Sequence, residues 1–400
     1  MNVAIIGGGA SGLMAGGYLS NQGHSVTIFD GNEKVGKKLF ITGKGRCNLT
    51  NNCSPDEVLA NVVNGEKFLF SAIYGFPPSS VIELFEQLGL KVKTERGNRV
   101  FPLSDKSSDV IKALERFAQG CDIKLNEKVL SIKFSGNKFV IKSQKETLEF
   151  DRVIIATGGK SYPATGSTGD GYRFAKMFGH TITEPHSALV PIKIKDKFCA
   201  NLEGLSLKNV TLSCEIDGKA KSIFGEMLFT SDAISGPIAL SMSSFIGLKN
   251  VNKLSIDFKP ALTPQQLDGR LLRDFEENLN KNISYIIKGL LPQRFVSVFM
   301  KKAQISCEIK VNSITKQMRE KIVQLLKNFP LEYGGLYPIE AGIVTSGGVS
   351  LKEINPKTME SKLIKGLYFI GEVLDFDCLT GGFNLQCCFA TAIACAKNLK

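Results

Sequence analysis

Apolar residues recur along the chain with two periods, and each period predicts its own kind of element. Val3-Ala4-Ile5-Ile6 is a short unbroken apolar run of the kind that forms a strand buried on both faces. Residues 10–22 have helical spacing, and Ser25 to Phe29 reads as a second strand. Two further runs end in glycine-rich turns. Phe150 to Ile155 leads into Thr157-Gly158-Gly159, and Gly366 to Ile370 leads into Gly371-Glu372. Cys387 to Ala396 is an apolar helix. Between these parts, Leu189 to Phe258 alternates apolar and polar residues, with turn signals at Asp217-Gly218 and Asn250, which predicts a β-rich domain. Leu262 to Asn328 returns to helical spacing behind the start signal Thr263-Pro264.

The first turn carries chemistry. Gly7, Gly9 and Gly12 form G-x-G-x-x-G between strand and helix. Gly7 permits the tight turn, Gly9 lets backbone approach a pyrophosphate, and Gly12 lets the helix pack on the sheet. Ala10 and Ser11 then open a helix whose N–H groups face the phosphates. Asp30 ends the second strand eighteen positions after Gly12, where a carboxylate can bond a ribose hydroxyl. The spacing predicts a dinucleotide site. After Asp30, the stretch from Gly31 to Asn51 is rich in Gly and Lys and has no apolar period. Lys37, Lys38, Lys44 and Arg46 in it are candidates to neutralise a pyrophosphate or an anionic ring. Strand ends at one edge of a parallel sheet share a crevice, so the first strand, the ATGG strand and the GE strand point at one elongated cofactor.

Composition adds a few limits. No apolar run is long enough to span a bilayer, and the opening lacks the basic region of a signal peptide. Ten cysteines without a CxxC pair, and only three histidines, argue against a metal site and for reduced thiols in a cytoplasmic protein. The net charge of +12 favours a polyanionic partner. Ten Lys/Arg against two Glu lie between Lys281 and Pro330, a surplus suited to phosphate contacts. Lys301, Lys302, Lys310, Arg319 and Lys321 are the candidates there; a solvated helix face is the alternative.

These motifs carry a family resemblance. GGGASGLMA, GKKLFITGKGRCNLTN, ATGGKSYPATGSTGDGY, GEMLFTSDAISGP, TSGGVSLKEINPKTMESK and GLYFIGEVLDFDCLTGGFNLQ run through the chain in order. The chain resembles the BaiN/RdsA family of FAD-dependent oxidoreductases, once called aminoacetone-oxidase-like. The resemblance implies an α/β fold: a Rossmann-like, two-dinucleotide-type FAD-binding domain at 1–187 and 340–400. A β-rich domain at 188–260 and a basic helical insert at 261–339 interrupt it. Gly7, Gly9, Ala10, Ser11 and Gly12 would hold the pyrophosphate, and Asp30 and Gly31 the adenosine ribose. Lys38, Arg46, Cys47 and Asn48 would lie along the pyrophosphate–flavin side, with the Val129 backbone at the adenine. Thr157, Gly158 and Gly159 would cover the adenosine half, and Gly371, Glu372 and Asp375 the ribityl and phosphate portion. Gly382, Phe383, Asn384 and Leu385 would sit against the flavin ring. Lys44 and Cys378 stand where the family commonly has glycine.

Cys47 follows Arg46, a cationic setting that lowers a thiol pKa, so it is a candidate proton donor or covalent partner; packing under the flavin is the alternative. Cys387, Cys388 and Cys395 read as core. The single G-x-G-x-x-G implies that NAD(P)H, as electron donor, visits without a nucleotide-binding fold of its own. Three readings follow. The family implies an enzyme that reduces uridine to dihydrouridine in large-subunit ribosomal RNA. The others are a reductase or oxidase of a steroid-type enone or an amine, and a non-catalytic flavin-bearing RNA-binding protein.

Overall fold

The apolar runs assemble as one parallel sheet in the computed structural model, which describes residues 1–399. Its strands lie in the order Leu367–Phe369, Arg152–Ile155, Asn2–Ile6, Ser25–Phe29 and Asp122–Lys124. Ile5 faces Ile154 on one side and Ile28 on the other, in register. Covered on both faces, such strands need no polar alternation, and Val3, Ala4, Ile5, Val153, Ile154 and Ile155 are fully buried. Each such Val or Ile stabilises the fold by about 1.5–3 kcal/mol relative to exposure. The helix Ala10–Asn21 packs against the last helix, Phe383–Asn398, which starts four residues earlier than its apolar run suggests.

The chain divides into two units, Met1–Ala188 with the stretch from Pro338 onward, and Leu189–Tyr337. Strand Ile182–Ala188 leaves the first unit and Val344–Val349 returns, paired antiparallel with Ala188 opposite Val344. A three-stranded antiparallel sheet (Val129–Ser135, Lys138–Ser143, Thr147–Phe150) also belongs to the first unit.

The second unit corrects the expected split at 260. Its seven-stranded sheet runs Phe329–Leu331, Val251–Asp257, Ser206–Ile216, Lys219–Phe229, Ala233–Ser235, Ile192–Ile194 and Tyr333–Leu336. Two of these strands come from beyond the helices Pro264–Glu276, Ile283–Lys288, Gln293–Ala303 and Lys316–Lys327. Strands and helices share one core, where Phe295 lies 4.9 Å from Phe258 and 5.1 Å from Phe329 between ring centroids. Helices this short do not persist alone, so their apolar faces close on the sheet. The local signals hold. Asp217 and Gly218, at φ +47° and +74°, form the hairpin turn, and Thr263 with Gln266 forms a reciprocal capping box.

Candidate functional site

The carboxyl ends of the parallel strands bring Gly7, Asp30, Thr157 and Gly371 to one edge of the sheet. The three glycines of the first turn have different work. At Gly7 (φ +112°) a Cβ would lie 2.4 Å from the Ala156 carbonyl oxygen, and at Gly12 1.9 Å from that of Gly7. Both keep the fold closed. At Gly9 a Cβ would meet nothing within 4 Å. That free space lies at the start of helix Ala10–Asn21, which has no side-chain cap and no acidic residue in its first turn. Its first N–H groups are therefore open to an anion.

Asp30 holds the loop around this space. Its Oδ2 accepts from the Gly8 N–H (2.8 Å), and its Oδ1 accepts from the Asn32 N–H and Nδ2 (2.8 and 2.9 Å). The Glu127 N–H donates to the Asp30 carbonyl (2.9 Å), which brings Gly31 against Lys128, beside buried Val129.

Lys38 and Glu372, 334 positions apart, meet. Lys38 Nζ donates to both Glu372 carboxylate oxygens (2.8 and 2.7 Å) and to Ser161 Oγ (2.7 Å). Glu372 also accepts from the Thr345 N–H (2.9 Å) and from Ser161 Oγ (3.2 Å). Gly159 makes room for Thr345, since a Cβ there would lie 2.3 Å from Thr345 Oγ1. Ser161 and Thr345 carried no sequence signal of their own. Removing one partner of a mostly buried pair leaves the other charge under-solvated. Lys38→Met is expected to cost the cofactor-free protein about 2 kcal/mol, reduced from the 3–5 of fully buried pairs by partial exposure. Urea unfolding would show it as a lowered midpoint with unchanged slope.

The Gly/Lys loop meets the last helix along a seam. Asn48 Oδ1 lies against Gly382, Thr50 Oγ1 donates to Gln386 Oε1 (2.6 Å), and Asn51 Nδ2 donates to the Gly381 carbonyl (3.0 Å). Gly382 (φ +100°) tolerates no side chain, since a Cβ would sit 2.4 Å from the Thr50 carbonyl oxygen. Phe383, Asn384 and Leu385 start that helix without a side-chain cap. The Asn384 side chain is engaged with the Cys378 backbone (3.0 and 2.9 Å), so only its N–H is open to a ligand. Phe383 is buried, its ring packed against Gly381. Asp375 accepts from Asn64 Nδ2 (2.8 Å), and burial raises its carboxyl pKa.

Two expectations for this loop are corrected. Arg46 does not reach toward the cofactor side: its guanidinium pairs with Glu95 and Asp105 and lies 4.2 Å from the Phe101 ring centroid. Arg46 holds the Glu95 carboxyl below its ordinary pKa, and Lys93 followed by Arg46 does the same for Asp105. Cys47 therefore lacks the cationic neighbour its sequence position suggests. It is fully buried, and burial pushes its pKa up to about 12, so it is a packed neutral thiol rather than an activated one. Lys44 adopts φ +58°, ψ +42°, a left-handed conformation that costs a non-glycine residue about 1 kcal/mol. That explains why glycine suits this position.

Three polar atoms near the strand ends are buried without a partner: Thr157 Oγ1, Asn48 Oδ1 and Tyr172 Oη. Thr157 Oγ1 lies against Gly171, next to Tyr172. Burial, then the charges of Glu372 and Asp375, push the Tyr172 pKa well up, so it stays a hydroxyl donor. Tyr172 closes the stretch ATGGKSYPATGSTGDGY but is not singled out by the sequence. Open space at Gly9, two uncapped helix N-termini and three unsatisfied polar atoms fit FAD. FAD, when bound, supplies two-electron chemistry at its flavin ring. The residues that would hold it are Gly9 to Gly12 through backbone N–H groups, Asp30 beside the ribose, and Thr157 and Tyr172 through their unpartnered hydroxyls.

In the second unit, Lys301 and Lys310 are exposed. Lys302 lies 3.7 Å from Asp196, and Lys321 Nζ donates to Gln304 Oε1 (3.0 Å). Arg319 is corrected as a candidate for phosphate, because its fork is engaged by Asp268 at 2.7 and 3.3 Å. Among the described residues no group of three or more His, Cys, Asp or Glu could hold a metal ion, and no single helix is long and apolar enough to cross a membrane.

Comparison with known proteins agrees with this geometry. The model of the HI0933-like protein Rossmann domain matches residues 1–398. The chain is 30% identical over 405 residues to a ribosomal RNA dihydrouridine synthase of Haemophilus influenzae, covering 99% of this chain and 97% of that protein. It is also 30% identical over 412 residues to a 3-dehydro-bile acid delta(4,6)-reductase of Clostridium scindens, covering 97% and 96%. Among solved structures, a 3-ketosteroid-delta4-(5alpha)-dehydrogenase from Rhodococcus jostii superposes with a TM-score of 0.51 at 14% identity, covering 98% of this chain and 96% of that one. With its family model matched almost end to end, the chain belongs to the HI0933-like Rossmann family of FAD-dependent oxidoreductases.

Proposed function

We propose that this protein reduces the C5–C6 double bond of uridine to dihydrouridine in large-subunit (23S) ribosomal RNA, with NAD(P)H reducing the FAD. FAD, when bound, would supply the hydride for one carbon while a proton goes to the other, and the base would leave its stack to reach the site. The observation that carries the reading is charge. A net +12 on 400 residues, with exposed lysines such as Lys301 and Lys310 unpaired among the described residues, suits a polyphosphate substrate. The Haemophilus influenzae relative supports the same reading by its name.

A second reading has its own observation. Phe40, Ile41 and Leu103 are 57%, 41% and 55% exposed close to the Gly/Lys loop, which suits an apolar enone such as the substrate named for the Clostridium scindens relative. The deciding experiment incubates FAD-loaded protein and NAD(P)H with unmodified 23S ribosomal RNA or with a steroid dienone. Dihydrouridine found by nucleoside mass spectrometry is the expected result. Turnover of the dienone with no dihydrouridine would replace the RNA reading with the second one.

A further inference from the structure

The Gly/Lys loop offers five cations; Lys34 is exposed on an ordinary backbone, and the fold neutralises three of the other four. Lys37 Nζ lies 3.2 Å from Glu33, Lys38 is held by Glu372, and Arg46 is held by Glu95 and Asp105. Lys44 is different. It is exposed, it has no hydrogen-bond or carboxylate partner among the described residues, and it occupies a left-handed backbone conformation between two glycines. Its backbone conformation costs the fold about 1 kcal/mol, and no polar contact of its side chain among the described residues offsets that. Strain of that sort, where the fold draws no benefit, points to a role outside the fold.

A second open cation stands nearby. Arg99 is exposed and has no carboxylate partner among the described residues; its Nε donates to the Arg96 carbonyl (3.0 Å). Its guanidinium lies 5.7 Å from the centroid of Phe101, the same ring that lies 3.6 Å from where a Cβ on Gly43 would be. Gly43, the residue before Lys44, and Arg99 thus border one ring, whose face the paired Arg46 guanidinium covers at 4.2 Å. The turn beside Arg99 is fastened to the cofactor site. Asn51 Nδ2 bridges the Gly97 carbonyl (2.9 Å) and the Gly381 carbonyl (3.0 Å), and Gly381 directly precedes the start of the last helix.

We propose that Lys44 and Arg99 form a phosphate-holding rim of the active site, gripping the ribose-phosphate backbone of an RNA strand beside the reacting base. A lysine acts there as a point charge, and an arginine fork adds directed bonds to phosphate oxygens. The inference rests on the RNA reading above and locates its phosphate contacts at the Gly/Lys loop. Exposure on a rim, rather than inside a pocket, suits a long polyanion more than a small acid.

The test measures binding of a uridine-containing single-stranded RNA to FAD-loaded protein across salt, together with dihydrouridine formation. Asparagine accepts the left-handed conformation without charge, so Lys44→Asn with Arg99→Gln isolates the electrostatics. The pair is expected to weaken binding about tenfold at low salt and to flatten the log–log salt slope by about 1.4, roughly 0.7 per phosphate contact. FAD content and turnover at saturating RNA should hold, and Lys44→Arg should keep wild-type affinity. Lys44→Gly should raise the melting temperature while losing one contact's share of the slope. Wild-type RNA binding and dihydrouridine formation that the double variant leaves unchanged would overturn the rim alone. A wild-type protein that binds no RNA would overturn the rim and the function beneath it.

Discussion

Gly9→Val is expected to yield a folded protein that no longer holds FAD. The reasoning separates the fold from its ligand. Gly9 has an extended backbone (φ −85°, ψ −165°) that valine adopts readily, and a Cβ there would touch no protein atom within 4 Å. Stability of the cofactor-free chain should therefore move by no more than about 0.5 kcal/mol. The added methyl groups would instead fill the approach to the helix N–H groups, where a pyrophosphate would bind. Loss of that contact is expected to weaken FAD at least about a hundredfold, or about 2.7 kcal/mol. Gly12→Ala is the contrasting case. Its Cβ would lie 1.9 Å from the Gly7 carbonyl oxygen, so the βα turn itself must open and the protein should unfold more easily. The flavin released by denaturing the wild type should be FAD rather than FMN. A Gly9→Val protein that purifies yellow with a full complement of FAD would overturn this assignment of the crevice.

The difference between those two glycines marks how far the sequence could be read. Spacing within about thirty residues was informative, because strand, turn and helix each constrain local backbone. Thus Gly7, Gly12 and Asp30 stand where the pattern put them, and Asp217-Gly218 and Thr263-Pro264 make the turn and cap they announce. Partner choice across hundreds of residues was not legible. Nothing near Arg46 in sequence says that Glu95 and Asp105 take its charge, and so the thiol of Cys47 was expected to be activated when it is buried and neutral. Arg319 repeats the lesson with Asp268. The same blindness hid the roles of Ser161 and Thr345, which support the Lys38–Glu372 contact and bond each other across 184 positions. It also divided the second unit at 260, because alternating and helical periods give no sign that both faces close on one core.

Thr157→Val combined with Tyr172→Phe is expected to make the cofactor-free protein more stable and its hold on FAD weaker. Both hydroxyls are buried with no partner among the described residues, and an unmade hydrogen bond in the interior costs about 1–3 kcal/mol. Valine and phenylalanine keep the shapes and remove the polar atoms, so the cofactor-free chain should gain about 1 kcal/mol or more, seen as a raised urea midpoint. With FAD present the balance reverses, because each hydroxyl then has oxygen or nitrogen atoms to bond. Losing two such bonds, at about 1 kcal/mol each, should lower FAD affinity roughly tenfold to a hundredfold. Tyr172 remains a donor throughout the neutral pH range, since burial and the nearby Glu372 and Asp375 charges oppose its ionisation; the loss should therefore not depend on pH between 6 and 9. The opposite signs are the useful part. A hydroxyl that merely packs in the core would leave FAD affinity unmoved, and one bonded within the protein would make the cofactor-free variant less stable. Either result would remove Thr157 and Tyr172 from the cofactor site and leave Gly9 and the helix N-termini to define it.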